Sequence, residues 1–211
     1  MEAKPLTLKT LALCVLAVLA VEALARVASV GSSLAALGAV RLLEIFLIAW
    51  IVVASSGGAS AIGLEHSRWL HGLKRGLLWS VAFGAVALCA LFLLHAARIN
   101  ILGMIRAPLP REAQTLALLF VVGGIIAPVA EEMFFRGLLY GFFRRWGVAA
   151  ALIVSTLLFV FSHPLDRGLP VTQAVGGLVF ALAYEVEGNL LAPITIHVLG
   201  NLAIFALSAA L

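Results

Sequence analysis

The chain has 211 residues, 64% hydrophobic and 11% charged, with a formal net charge of +4. Soluble domains carry about 25% charged and 45–50% apolar residues, so a mean hydropathy of +1.16 sustained along the whole length excludes a soluble enzyme and a soluble domain on one anchor. The positive excess comes without a basic stripe interleaved with aromatics, so it reads as a topology signal and not as a nucleic-acid surface.

The first apolar run follows Lys4 and Lys9. No small-residue cleavage site closes it, and Glu22 and Arg26 interrupt its distal half, so it is expected to be a retained membrane helix. Apolar spans of about 17–25 residues then recur. Seven are expected, at Leu11–Val30, Leu37–Ala54, Leu77–His95, Leu116–Tyr140, Val148–Ser162, Val171–Tyr184 and Leu190–Leu211. The runs are continuous and lack ten-residue alternation, which favours helices over barrel strands. The expected fold is an all-α polytopic membrane protein of about seven transmembrane helices (six to eight) in one bundle. Residues 1–115 are read as scaffold helices and 116–211 as the catalytic helical core.

Two polar connections separate these spans, Ser55–Gly76 and Ala96–Thr115, the latter with a short interfacial helix expected around Arg98–Ile105. With the N-terminus inside, Lys4, Lys9, Arg68, Lys74, Arg75, Arg144 and Arg145 face the cytoplasm. Arg98, Arg106, Arg111 and Arg167 are then left outside. That balance favours a cytoplasmic N-terminus, in what reads as a prokaryotic cytoplasmic membrane. Cys14 and Cys89 fall inside apolar spans and read as small hydrophobes. Glu22 with Arg26, and Arg41 beside Glu44, read as satisfied pairs or helix-end charges, and Glu185 and Glu187 as solvated residues of a turn.

The chemistry concentrates after Thr115. Glu131 and Glu132 stand together in the fourth span, where a single carboxylate costs about 2.5–3.5 kcal/mol on insertion scales. Glu132 and Arg136 are four apart, with the acid N-terminal to the base, so one helical face holds them as a pair. Glu131 points about 100° away and has no partner nearby in sequence. Without a counter-charge in an apolar pocket, it is suited to general base or acid work. Pro128 and the Gly123-Gly124 pair are expected to loosen this helix and give room for water or substrate backbone. Phe159 and His163 share a face four residues apart, and Pro164 ends their segment. The imidazole is placed either to orient a water with Glu131 or to mark the end of a span. His197 and Asn201 repeat the spacing, with Gly200 between them for close approach of another helix or a peptide backbone. An imidazole and a carboxamide can stabilise an oxyanion or clamp two helices. No G-x-S-x-G elbow, H-E-x-x-H helix or Walker loop occurs in the sequence.

Taken in order, E-E-x-x-x-R (Glu131, Glu132, Arg136), F-x-x-x-H (Phe159, His163) and H-x-x-x-N (His197, Asn201) resemble the CPBP family of intramembrane proteases. That family holds the type II CAAX prenyl endopeptidases and their bacteriocin-processing and immunity relatives. The resemblance covers about Ala117 to Leu207, and Ile62-Gly63-Leu64 also resembles a common element of the family. It implies that Glu131 activates water, His163 helps hold that water, Glu132 and Arg136 support the site, and His197 and Asn201 form the oxyanion hole. Phe159 belongs to the supporting set. No cofactor is required on this reading. The alternative is a zinc version in which Glu131, His163 and His197 are the ligands and a position stays open for water.

The expected function is an intramembrane endopeptidase acting on a membrane-embedded or lipidated peptide or protein, with the lipid bilayer as surroundings and no nucleic acid. Prenyl-CAAX specificity is not carried over to this compact chain. Two rivals remain: a transporter or proton relay using the same buried acids and imidazoles, and a non-catalytic immunity or interaction protein.

Overall fold

The computed structural model describes residues 6–28, 33–55, 57–99, 107–164 and 170–210. The described residues form seven helices: α1 (Leu8–Val27), α2 (Leu34–Ala54), α3 (Trp69–Ala96), α4 (Ala113–Trp146), α5 (Val148–Phe161), α6 (Val171–Glu187) and α7 (Leu191–Ala210). The described residues contain no strand. The all-α bundle read from the apolar runs is therefore the fold. Five helices are long and apolar enough to cross a membrane: α1, α2, α4, α7, and α3 with the short turn His66–Arg68 ahead of it.

Local chemistry sets several boundaries. Thr7 accepts from the Thr10 amide at 3.1 Å and starts α1, and Ser33 accepts from the Ala36 amide at 3.2 Å and starts α2. Each satisfies one of the amides that a helix start leaves without an intrahelical acceptor. Gly188, at φ 56°, ends α6 in the left-handed conformation that glycine adopts without steric cost. The core draws on the whole chain: Cys14 of α1, Ile48 and Val52 of α2, Leu138 and Tyr140 of α4, Phe159 of α5 and Tyr184 of α6 pack in one cluster. Outside it, residues such as Leu16, Phe46, Trp50, Leu88 and Phe92 stand exposed, an apolar surface suited to lipid.

α4 runs for 34 residues and loosens where its glycine pair and proline lead one to expect. Pro128 has no N–H to donate, and the turn before it, Val122–Ile126, widens to a π-helical one that absorbs the missing bond. The glycine pair serves packing: a methyl at Gly124 would lie 2.6 Å from Leu202 Cδ2, and one at Gly123 3.3 Å from Phe205. These glycines bring α7 against α4, in place of the water or substrate expected there. Among the described residues no helix approaches Gly200, where a methyl would meet nothing within 4 Å.

The connection read as Ser55–Gly76 is shorter than expected, because α3 already begins at Trp69. Gly72 and Gly76 lie on its buried side against Asn189 and Thr195, and Asn189 Nδ2 donates to the Arg68 carbonyl at 2.8 Å. Gly63, at φ 73°, accepts at its carbonyl from the Leu190 amide at 3.0 Å, while Ile62 packs on Gly137. The Ile62-Gly63-Leu64 element thus ties the start of α7 to α4. The interfacial helix expected around Arg98–Ile105 falls mostly outside the described residues.

Glu185 and Glu187 are not solvated turn residues. They close α6, where Glu185 accepts from Arg144 (2.8 Å) and Tyr140 (2.8 Å). Glu187 accepts from Arg75 (2.9 Å) and Trp79 (2.8 Å). Arg41 bridges Glu22 of α1 (2.9 Å) and Glu44 of α2 (2.6 Å). The partner of Glu22 is therefore across the helix pair.

α5 is the short helix that places the site at depth. It starts just after Arg144 and Arg145 and has 14 residues, about 21 Å at 1.5 Å per residue, against a hydrocarbon core of about 30 Å. Its far end, with His163 just beyond, stops within the apolar layer.

Candidate active site

The centre is built on α4 and closed by α5, α6 and α7. Glu132 is wholly buried and one of its oxygens, Oε1, takes two partners: Arg136 Nη1 at 2.9 Å and His197 Nδ1 at 2.8 Å. A carboxylate facing a guanidinium can only accept, so the bond assigns the His197 proton to Nδ1. Glu132 and Arg136 form the ion pair that their spacing predicts. His197 is its third member, a contact between α7 and α4 that fits the helix clamp expected of it as well as an oxyanion role.

Glu131 stands apart as expected. Its side chain keeps 22% of its surface, and its nearest charged partner is His197, with Oε2 3.8 Å from Nε2. That separation is too long for a direct hydrogen bond, and one water can bridge such a gap. His197 is thus held between two carboxylates, fixed at Nδ1 by the buried one and turned at Nε2 toward the open one.

Arg136 also donates through Nη2 to the Gly177 carbonyl at 2.9 Å. Its guanidinium lies over Phe159 (4.5 Å to the centroid) and Phe180 (5.3 Å). Gly177 permits this approach, since a methyl there would come within 3.1 Å of Phe159, 3.2 Å of Thr156 and 3.5 Å of Arg136 Nη2. Cation–π contact and hydrogen bonds to both sides keep a charge in an otherwise apolar interior.

Asn201 and His163 are placed less directly. Asn201 Nδ2 donates to the Gly123 carbonyl at 2.9 Å, which ties α7 to the helix of Glu131 and leaves one amide hydrogen of the two. His163 Nδ1 lies 2.8 Å from the Phe159 carbonyl, and its ring packs at 65° to Phe159 with centroids 4.7 Å apart. Phe159 in turn meets His197 at 5.9 Å and 85°. His163 therefore reaches the centre through the Phe159 ring. Among the described residues it makes no hydrogen bond or ion pair with Glu131 or His197.

The zinc set of Glu131, His163 and His197 does not fit this arrangement. Among the described residues no three His, Cys, Asp or Glu side chains come together in a way that could hold a metal ion. The Nδ1 atoms of both histidines face Glu132 and the Phe159 carbonyl, which leaves Nε2 as the ring atom turned to any ligand.

Two contributors escaped the sequence reading, Gly177 and Phe180. Phe180 stacks on His197 with centroids 4.5 Å apart and planes 20° from parallel. The available signal was Gly176-Gly177 inside an apolar helix, which marks close helix approach, followed one turn later by an aromatic on a neighbouring face.

The carboxylates, guanidinium and imidazoles thus meet in a cluster enclosed by apolar helices, a set suited to acid–base chemistry. Residues 113–203, from the start of α4 to within α7, match the family model of the Rce1-like, type II CAAX prenyl endopeptidase Rce1-like proteins. The chain is also 30% identical over 157 residues to an uncharacterized 24.3 kDa protein of Escherichia coli, an overlap covering 64% of this chain and 68% of that one. No solved structure matches it. The chain belongs to the Rce1-like family of type II CAAX prenyl endopeptidases, the group whose three motifs it carries, and is an integral membrane protein.

Proposed function

We propose that the chain is an intramembrane endopeptidase in which Glu131 activates a water held between its carboxylate and His197. The observation that carries this reading is His197 suspended between Glu132 at 2.8 Å and Glu131 at 3.8 Å. Glu131 takes a proton from the water as its oxygen adds to the scissile carbonyl carbon. The carbonyl oxygen becomes an oxyanion, which accepts from the remaining Asn201 N–H and from His197 Nε2 when the ring carries its second proton. The proton on Glu131 then passes to the amide nitrogen, the C–N bond breaks, and a carboxyl and an amine product leave. Glu132, neutralised by Arg136, fixes the ring and stabilises its cationic form. His163 and Phe159 form the wall on the α5 side, from which His163 helps to hold the water.

The substrate on this reading is a small membrane-anchored peptide or a segment carrying a lipid, reached laterally from the bilayer or the cytoplasmic interface. The N-terminus is cytoplasmic. This is supported by Arg68, Lys74 and Arg75 at the start of α3 and Arg144 and Arg145 at the end of α4, which bring five basic residues to one end of the bundle.

The test compares cells carrying wild type, Glu131→Gln or His197→Ala for uncleaved membrane peptides, with and without a chelator. Both variants are expected to accumulate the same peptides. Wild-type processing by Glu131→Gln overturns the mechanism, and loss of wild-type processing on chelation with recovery on zinc turns it into a metalloenzyme.

A further inference from the structure

The three motifs leave α6 without a role, yet α6 supplies the flattest contact that His197 makes. Phe180 is 7% exposed and lies almost parallel to the imidazole, while Phe159 meets the same imidazole edge-on at 85°. A hydrogen bond at Nδ1 fixes one atom of the ring but leaves it free to swing about that bond. An aromatic face 4.5 Å away removes that freedom. The groups around His197 that carry charge or titrate are Glu131, Glu132 and Arg136 from α4, and His163 behind Phe159. The α3 helix presents only Trp79 and Phe83 to the cluster that Phe180, Ala183 and Ile196 form. The Phe180 ring is thus the contact that lies along the plane of the imidazole.

We infer that Phe180 is a positioning residue for the reaction: it sets the plane of His197 so that Nε2 faces Glu131. Phe180 touches neither water nor peptide and acts only through the imidazole. The inference rests on the reading of Glu131 and His197 given above.

Histidine-labelled full-length protein in lipid nanodiscs provides a measurement that needs no substrate. The His197 resonance is assigned by its loss in His197→Gln, and its chemical shift is followed in wild type, Phe180→Leu and Phe180→Tyr. Phe180→Leu is expected to lose the ring-current shift, while Phe180→Tyr, which keeps the face, restores it. Processing of the peptides that accumulate with Glu131→Gln is expected to fall on the order of 10–100-fold in kcat for Phe180→Leu, with KM little changed and with recovery in Phe180→Tyr. A wild-type chemical shift and a wild-type rate in folded Phe180→Leu overturn this role while Glu131→Gln and His197→Ala stay inactive. Activity retained by those two variants instead overturns the catalytic reading itself. A loss of rate in Phe180→Leu that Phe180→Tyr does not restore assigns Phe180 to packing alone and also overturns the inference.

Discussion

Replacing Arg136 with methionine separates the support of the site from its chemistry. Arg136 and Glu132 are both 0% exposed and 2.9 Å apart. Methionine keeps most of the volume against Phe159 and Phe180, so the cavity contribution is small. What changes is that Glu132 becomes a buried carboxylate without its guanidinium, and breaking a buried pair from one side costs about 3–5 kcal/mol. The Gly177 carbonyl also loses its donor, a buried group worth about 1–3 kcal/mol when unsatisfied. The two overlap, since both relax through the same side chain, and a total near 4 kcal/mol is about a thousandfold in the population of opened molecules. The chain carries its own reporter. Cys14 is wholly buried in the core while Cys89 is exposed, so thiol labelling in a Cys89→Ala background reads opening. Arg136→Met should label roughly 10²–10³ times faster than its parent. Adding Glu132→Gln removes the stranded charge and should recover part of the protection. If Arg136→Met labels no faster than its parent, or if the double variant labels faster than Arg136→Met, the pair does not hold the site and the reasoning fails.

Two further outcomes follow from the packing. Gly177→Ala places a methyl 3.1 Å from Phe159 and 3.2 Å from Thr156 and should cost about 1–3 kcal/mol, read by the same Cys14 labelling and accompanied by loss of peptide processing. At the far end of α6, beyond its apolar stretch, burial works against the Glu187 charge, yet hydrogen bonds from Arg75 and Trp79 hold its carboxyl below the ordinary value of 4.5. A depressed carboxylate contributes stability that is present above its unfolded value and lost as pH falls through the folded one. Thermal unfolding should therefore be flat above pH 4.5 and decline below it. Glu187→Gln should show a weaker decline, and an identical one would refute the assignment.

The long apolar runs made the bundle legible, because a span of lipid-facing residues has few alternatives to a helix. The i,i+4 spacings made each half of the site legible: Glu132 does pair with Arg136, and Phe159 does stack on His163. Contacts between helices were hidden. Nothing local says that His197 turns to Glu132 rather than outward, that Asn201 spends one N–H on the Gly123 carbonyl, or that Phe180 covers the imidazole. Glycines were visible but ambiguous, since the same residue can open space or close it. Gly124 closes against Leu202, whereas Gly200 faces open space. The acids at the end of α6 misled because proximity to a turn resembles solvation, while their partners Arg144 and Arg75 lie far away in sequence.

Charge balance explains why the adjacent glutamates are not interchangeable. Counting Glu131, Glu132, Arg136 and His197, the site carries one net negative charge when the imidazole is neutral and none when it holds its second proton. Low dielectric surroundings penalise the unbalanced state, so proton traffic at His197 is coupled to whatever charge forms beside it. In the mechanism we propose, the developing oxyanion is a new negative charge next to Nε2, while Glu131 loses its own by taking a proton from water. The negative charge moves by a few ångströms and the total stays constant, with Glu132 and Arg136 as the fixed frame. This arrangement needs one carboxylate that gains and releases a proton and one that does not. That division matches a Glu131 open at 22% of its surface and a Glu132 with none.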